Sequence, residues 1–134
     1  MRQIQQLIQV LNTVLTQVLK VKEQGQDSDI VAYTNEMFEK KLGFDLDELS
    51  DILEKDNNIS HLKKEKGFTN EHLSILADIL YELGEDGFEL PEKHTRSVEL
   101  LTQSLTLYEF IELDDRIYSI DRNLRITKIK DYLN

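Results

Sequence analysis

The chain has 134 residues, 40% of them hydrophobic and 31% charged, the composition of one ordinary folded domain and not of a disordered segment. It has no cysteine, which excludes disulfides and thiolate metal sites, and only one proline and five glycines, which leaves little room for irregular segments. A net charge of -10 disfavours nucleic acid and anionic membranes as partners.

In chain order, the first predicted helix is the clearest. Ile4, Leu7, Ile8, Val10, Leu11, Val14, Leu15, Val18, Leu19 and Val21 recur at helical spacing and fill an arc of about 180°. A two-stranded coiled coil needs a narrower stripe, so this helix is expected to pack against two or more neighbours. Gly25 is its expected stop, and Asp27 or Ser28 the cap of a second helix whose buried face is Ile30, Tyr33, Thr34, Met37, Phe38 and Leu42. Gly43 follows as a left-handed cap residue. Asp45 and Glu48 form a capping box for a third helix with Leu46, Leu49, Ile52 and Leu53 inward, ended by Asp56-Asn57-Asn58.

Residues 57–68 predict a short helix or turn, with Lys63, Lys64 and Lys66 as a basic cluster before Gly67. Thr69 caps the next helix, with Phe68 and Leu73 at the positions of a hydrophobic staple. Leu73, Leu76, Ala77, Leu80 and Leu83 are its face and Gly84 its expected end, followed by an acidic loop over 84–90. Pro91 is placed at the first position of a long helix with Val98, Leu101, Leu105, Tyr108 and Ile111 inward, interrupted at Asp114-Asp115. Ser119 caps a last helix containing Ile120, Leu124, Ile129 and Leu133. The expected architecture is all-α: about six helices in one domain over 1–134, as a helix pair at 2–42, helices within 45–66, a helix pair at 70–112 and a C-terminal helix at 119–133.

The charge is unevenly placed. Residues 1–22 carry +3, residues 23–115 carry -16 and residues 116–134 carry +3, so the two basic ends either pack beside each other across an acidic middle or meet a partner's acidic surface. No apolar run approaches the roughly 20 residues that span a bilayer, and the glutamine-rich N-terminus lacks the features of a secretory signal. A cytoplasmic protein without membrane contact is the expectation.

Several segments carry a resemblance. They are the glutamine-rich first helix, Met37-Phe38-Glu39-Lys40-Lys41-Leu42-Gly43-Phe44, Leu46 to Leu53 and Leu73-Ser74-Ile75-Leu76-Ala77-Asp78-Ile79-Leu80-Tyr81-Glu82. Leu105-Thr106-Leu107-Tyr108-Glu109-Phe110 and Tyr118-Ser119-Ile120-Asp121-Arg122 complete the set. In this order they resemble an uncharacterised bacterial family with tetratricopeptide-like helical hairpins. The resemblance implies an architecture, no established activity and no assigned functional residues. Tetratricopeptide repeats place small residues where paired helices cross, and Ala77 is nearly alone in that role here.

No catalytic or metal constellation emerges. His61, His72 and His94 lack the spacing that lets a pair share a metal on one helix, and each is read as a surface or half-buried histidine, His72 on the polar side of its helix. The acidic clusters match neither a calcium loop nor a Glu-x-x-His di-iron pattern, and no phosphate-binding loop or nucleophile elbow is present. The chain is therefore expected to be non-catalytic and without a cofactor. The predicted role is an interaction or scaffold module holding a protein or peptide in a groove between hairpins, with a homodimer through the first helix as an option. Tyr81, Tyr108, Phe110, Arg122 and Arg125 are the candidate partner-binding residues. The alternative is a small DNA-binding regulator using the basic face of the C-terminal helix, opposed by the acidic middle section.

Overall fold

The computed structural model describes residues 2–24, 30–54 and 58–134, and among these the side chains except those of residues 2–6, 24, 54, 58, 61 and 65. The described residues form seven helices and no strand: α1 (Arg2–Gln24), α2 (Ile30–Leu42), α3 (Leu46–Glu54), α4 (Asn58–Lys66), α5 (Asn70–Gly87), α6 (His94–Asp115) and α7 (Ile120–Leu133). The protein is all-α, and the stretch expected as a short helix or turn supplies α4. The expected stop at Gly25, the caps at Asp27 or Ser28 and the breaks at Asp56 and Asn57 lie outside the described residues, as does the side chain of His61.

α5 is the axis of the fold. It packs against α6 on one side and α1 on another, while α2 leans on α1, α7 on α6, and α3 on both α4 and α6. Its sequence explains this position: Leu73, Leu76, Ala77, Ile79, Leu80, Tyr81 and Leu83 are buried, so apolar groups occupy most of its circumference. The wide apolar arc of α1 is accounted for in the same way. Leu11, Val14 and Val18 are fully buried and Leu7, Leu15 and Val21 pack against the core, because two helices cover the arc.

The α5–α6 pair is antiparallel and unusually close. Ser104 Oγ donates to the Ala77 carbonyl at 2.7 Å, and seven residues along each helix Gly84 faces Ser97 and Leu101. A Cβ at Gly84 would lie 2.7 Å from Leu101 Cγ and 3.1 Å from the Ser97 carbonyl, and one at Gly87 would lie 2.6 Å from Ser97 Oγ. Ala77, Gly84, Gly87, Ser97 and Ser104 together make a crossing of small residues. Gly84 is thus a helix-interior residue, contrary to the expectation that it ends the helix. Its φ is not positive, unlike Gly43 at +82° and Gly67 at +74°, and α5 continues to Gly87.

Pro91 also differs from expectation. It sits in a turn closed by Lys93 N–H to the Leu90 carbonyl, and α6 begins at His94 after Lys93, whose carbonyl takes the first helical bond from Ser97. The other caps form as read from the sequence. Asp45 and Glu48 bond each other's backbone N–H, Thr69 Oγ1 accepts from His72 N–H, and Ser119 Oγ accepts from Arg122 N–H. At Thr69 the box is closed by a histidine: Thr69 N–H donates to His72 Nδ1 at 2.8 Å. His72 is consequently fully buried, with its ring edge-on to Phe68, and not on a polar face.

Candidate functional site

Two regions collect chemically distinctive side chains. The first is a polar stripe on α5, Asp78, Tyr81, Glu82 and Glu85, spaced by three and four residues so that all four share one helix face. The complementary stripe on α7 is Arg125, Lys128 and Tyr132. Glu85 Oε2 accepts from Tyr81 Oη at 2.8 Å and Tyr132 Oη at 3.2 Å and pairs with Lys128 Nζ at 2.8 Å. Lys22 reaches in from α1, 2.9 Å from Glu82 and 3.5 Å from Glu85. Further along α5, Asp78 accepts a hydrogen bond from Tyr108 Oη and pairs with Arg125 at 3.3 Å, and the Arg125 guanidinium lies 6.0 Å from the centre of the Tyr81 ring.

The two carboxylates are tuned in opposite directions. Burial works against the charge on Glu85, but the bonds from Lys128 and Tyr81 and the charges of Lys22 and Lys128 outweigh it and hold its carboxyl at about 2. Burial wins at Asp78, which is raised above the ordinary carboxylate range although Tyr108 and Arg125 pull it down. Burial and the neighbouring Glu85 push the Tyr81 hydroxyl up to about 12. These groups satisfy one another, so the stripe is a clasp between helices.

The clasp has a pH signature. Glu85 is lowered in the fold from an ordinary value of 4.5, so its contribution is complete above that value and is lost as pH falls towards about 2. Asp78 has the opposite sign, because protonation relieves a disfavoured buried charge. The full depression at Glu85 corresponds to about 3 kcal/mol, and screening at this partly solvated position reduces it to about 1–2 kcal/mol. Glu85→Gln is therefore expected to lower stability by about that amount at pH 7, with parent and variant converging as pH falls from 4.5 towards about 2. Urea unfolding of both proteins across that range measures the convergence; a gap that stays constant with pH would rule out the ionic origin.

The sequence candidates fall at separate places. Tyr81, Tyr108 and Arg125 come together in the clasp, where both tyrosines are buried. Arg122 is buried on α7, its Nε 2.8 Å from Glu112 and its guanidinium bonded to the Ile117 carbonyl. Phe110 lies apart, with Lys63 Nζ 5.4 Å from its ring centre. The basic face of α7 is internally engaged throughout: Arg122 with Glu112 and Asp115, Arg125 with Asp78, Lys128 with Glu85 and Lys130 with Glu109. The basic C-terminal segment is thus neutralised by the acidic middle, and Lys22 near the other end does the same. Sequence reasoning missed Glu85 and Asp78, although the matched three- and four-residue spacings on 78–85 and 125–132 were the available signal.

The second region is a groove of about 800 Å³. α1 contributes Leu7, Gln9, Val10 and Thr13, and α2 contributes Met37 and Leu42. Phe68 closes one end, and Lys41 and Lys66 bring two ammonium groups and no carboxylate opposes them in the lining. Lys66 lies 5.8 Å from the Phe44 ring centre, and neither lysine forms an ion pair among the described residues. The groove is missed by sequence because it exists only once α2 is laid against α1. Elsewhere, no group of three or more histidine and carboxylate side chains among the described residues is placed to hold a metal ion, and no described helix is long and apolar enough to cross a membrane.

Comparison with protein-family models, with curated protein sequences and with solved structures gives no match for this chain.

Proposed function

We propose that the protein is a non-catalytic interaction module of the tetratricopeptide-like kind, working in the cytoplasm, which holds an amphipathic helical segment of a partner protein in the groove between α1 and α2. The observation that carries this reading is the character of the groove itself. Its lining sets Leu7, Val10, Met37, Leu42 and Phe68 beside the polar Gln9 and Thr13, and among the described residues its formal charges are Lys41 and Lys66, neither in an ion pair, in a chain of net charge -10. Leucine-type side chains on one face of a bound helix would meet Val10, Met37 and Phe68, and acidic residues along its edge would meet Lys41 and Lys66. With a Debye length of about 8 Å at physiological salt, the distant carboxylates of the chain are screened while the two groove lysines are not.

The test uses two labelled model helices of about 14 residues, one of leucine and glutamate, the other of leucine and lysine. Fluorescence anisotropy should show saturable micromolar binding of the acidic peptide, weakened at least tenfold by Lys41→Glu with Lys66→Glu, which are exposed and should leave the fold intact. Equal binding of both peptides, or no effect of the double charge reversal, would reject the reading.

A further inference from the structure

A different surface points to a second copy of this chain. Leu113, Ile117, Tyr118, Ile120 and Leu124 are each between 62% and 79% exposed, and all five fall within twelve residues around the corner where α6 ends and α7 begins. Among the described side chains, the other exposed large apolar residues, Leu19 and Leu90, lie elsewhere in the chain and are less open. Scattered exposed leucines need no explanation, but a contiguous set does. Five side chains exposed to this degree present on the order of 600 Å² together, at the upper end of what a monomer ordinarily shows. That is most of the roughly 800 Å² per partner that a standard interface buries.

The corner itself is firmly held. Arg116 takes a left-handed backbone conformation with φ 57°, Ile117 N–H donates to Asp115 Oδ1, and Arg122 ties the connection down through the Ile117 carbonyl. The apolar side chains therefore project outward from a braced turn, because the inward positions are already filled by Arg122, Ile126 and Ile129.

We propose that this corner is an isologous dimer interface. A two-fold contact demands a patch complementary to itself, and the charges flanking the corner meet that demand. Arg116 and Asp121, both exposed, make no ion pair within 4 Å among the described residues, whereas Arg122, Arg125, Lys128 and Lys130 on α7 each do, although the charge of Asp121 is also felt by Arg125. An isologous contact in which Arg116 of each copy met Asp121 of the other would make one pairing twice. The face of α1 is not available for this purpose, since Leu11 and Val18 are fully buried within their own chain.

Sedimentation velocity of the full chain, from micromolar to several hundred micromolar, tests the proposal. A reversible monomer–dimer equilibrium is expected. Leu124→Glu should leave a monomer at every concentration with an unchanged helical circular-dichroism spectrum. If that variant loses helix, Ile117→Glu, which lies in the connection between helices, decides in its place. Arg116→Glu and Asp121→Arg should each weaken the dimer about tenfold, and their combination should recover most of it. A parent protein that is monomeric throughout overturns the proposal, as does a dimer indifferent to these changes. A monomer that uses the patch to hold vesicles or another protein overturns it equally. Lys41→Glu with Lys66→Glu should leave the dimer intact, which separates failure here from failure of the groove.

Discussion

Gly84→Ala is expected to destabilise the protein by about 2 kcal/mol, although the same change in an exposed helix would stabilise it by about 1 kcal/mol. The sign reverses because of where the new methyl group lands. It would sit 2.7 Å from Leu101 Cγ and 2.9 Å from Cδ2, with the Ser97 carbonyl at 3.1 Å. Cγ is the branch point of a fully buried leucine and the carbonyl belongs to α6 itself, so neither can swing aside. Relief requires α5 and α6 to separate at their tightest point, and overpacking of this kind costs about 3 kcal/mol. Chemical denaturation of Gly84→Ala, Leu101→Ala and the double variant supplies the test. Removing Leu101 Cγ frees the space, so the double variant should be more stable than the sum of the single changes by about 1 kcal/mol or more. Strict additivity would show that Gly84 is needed for some reason other than close approach.

The history of this glycine shows what a sequence makes legible. Caps are local, and those at Asp45, Thr69 and Ser119 could be read because each needs only its own next three residues. The wide arc of α1 likewise announced two neighbours. Gly43 and Gly84 each follow a leucine at the end of an apolar helix face, yet one closes a helix at φ +82° and the other lets two helices touch. Nothing short of the position of Ser97 and Leu101, thirteen or more residues further on, distinguishes them. His72 was misplaced for a related reason: its helix face was read without Phe68, whose ring it packs against, and without the Thr69 N–H that its Nδ1 accepts. The candidate site followed the same division. Tyr81, Tyr108 and Arg125 do converge, but on Asp78 and Glu85. In the sequence this helix reads as ending at Gly84, three residues too soon, which places Glu85 in a loop. The groove depends on how α2 lies along α1, so its lysines stood in the sequence as two unrelated basic positions.

Arg122→Ala is expected to lower stability by about 3 kcal/mol and to loosen α7 as a unit. The residue was a natural candidate for contacting a partner, being basic and placed three residues before Arg125. Its surroundings give it another task. The guanidinium is buried, bonds Glu112 at 2.8 Å and the Ile117 carbonyl, and lies 3.8 Å from Asp115. Glu112 and Asp115 belong to α6, so one side chain ties the start of α7 to the end of α6 across the intervening turn. Truncation strands the Glu112 carboxylate and an acceptor carbonyl in a partly dry site, and a buried pair broken from one side costs about 3–5 kcal/mol, reduced here because Glu112 retains some solvent. Arg122→Lys should recover only part of the loss, since an ammonium cannot reproduce the planar donor set that serves both acceptors. Two measurements discriminate. Equilibrium unfolding gives the magnitude, and amide hydrogen exchange gives the place: protection should fall across 120–133 before it falls in α5. If Arg122→Ala left stability within about 0.5 kcal/mol of the parent, the buried pair would contribute nothing net. Arg122 would then stand again as a candidate for binding a partner.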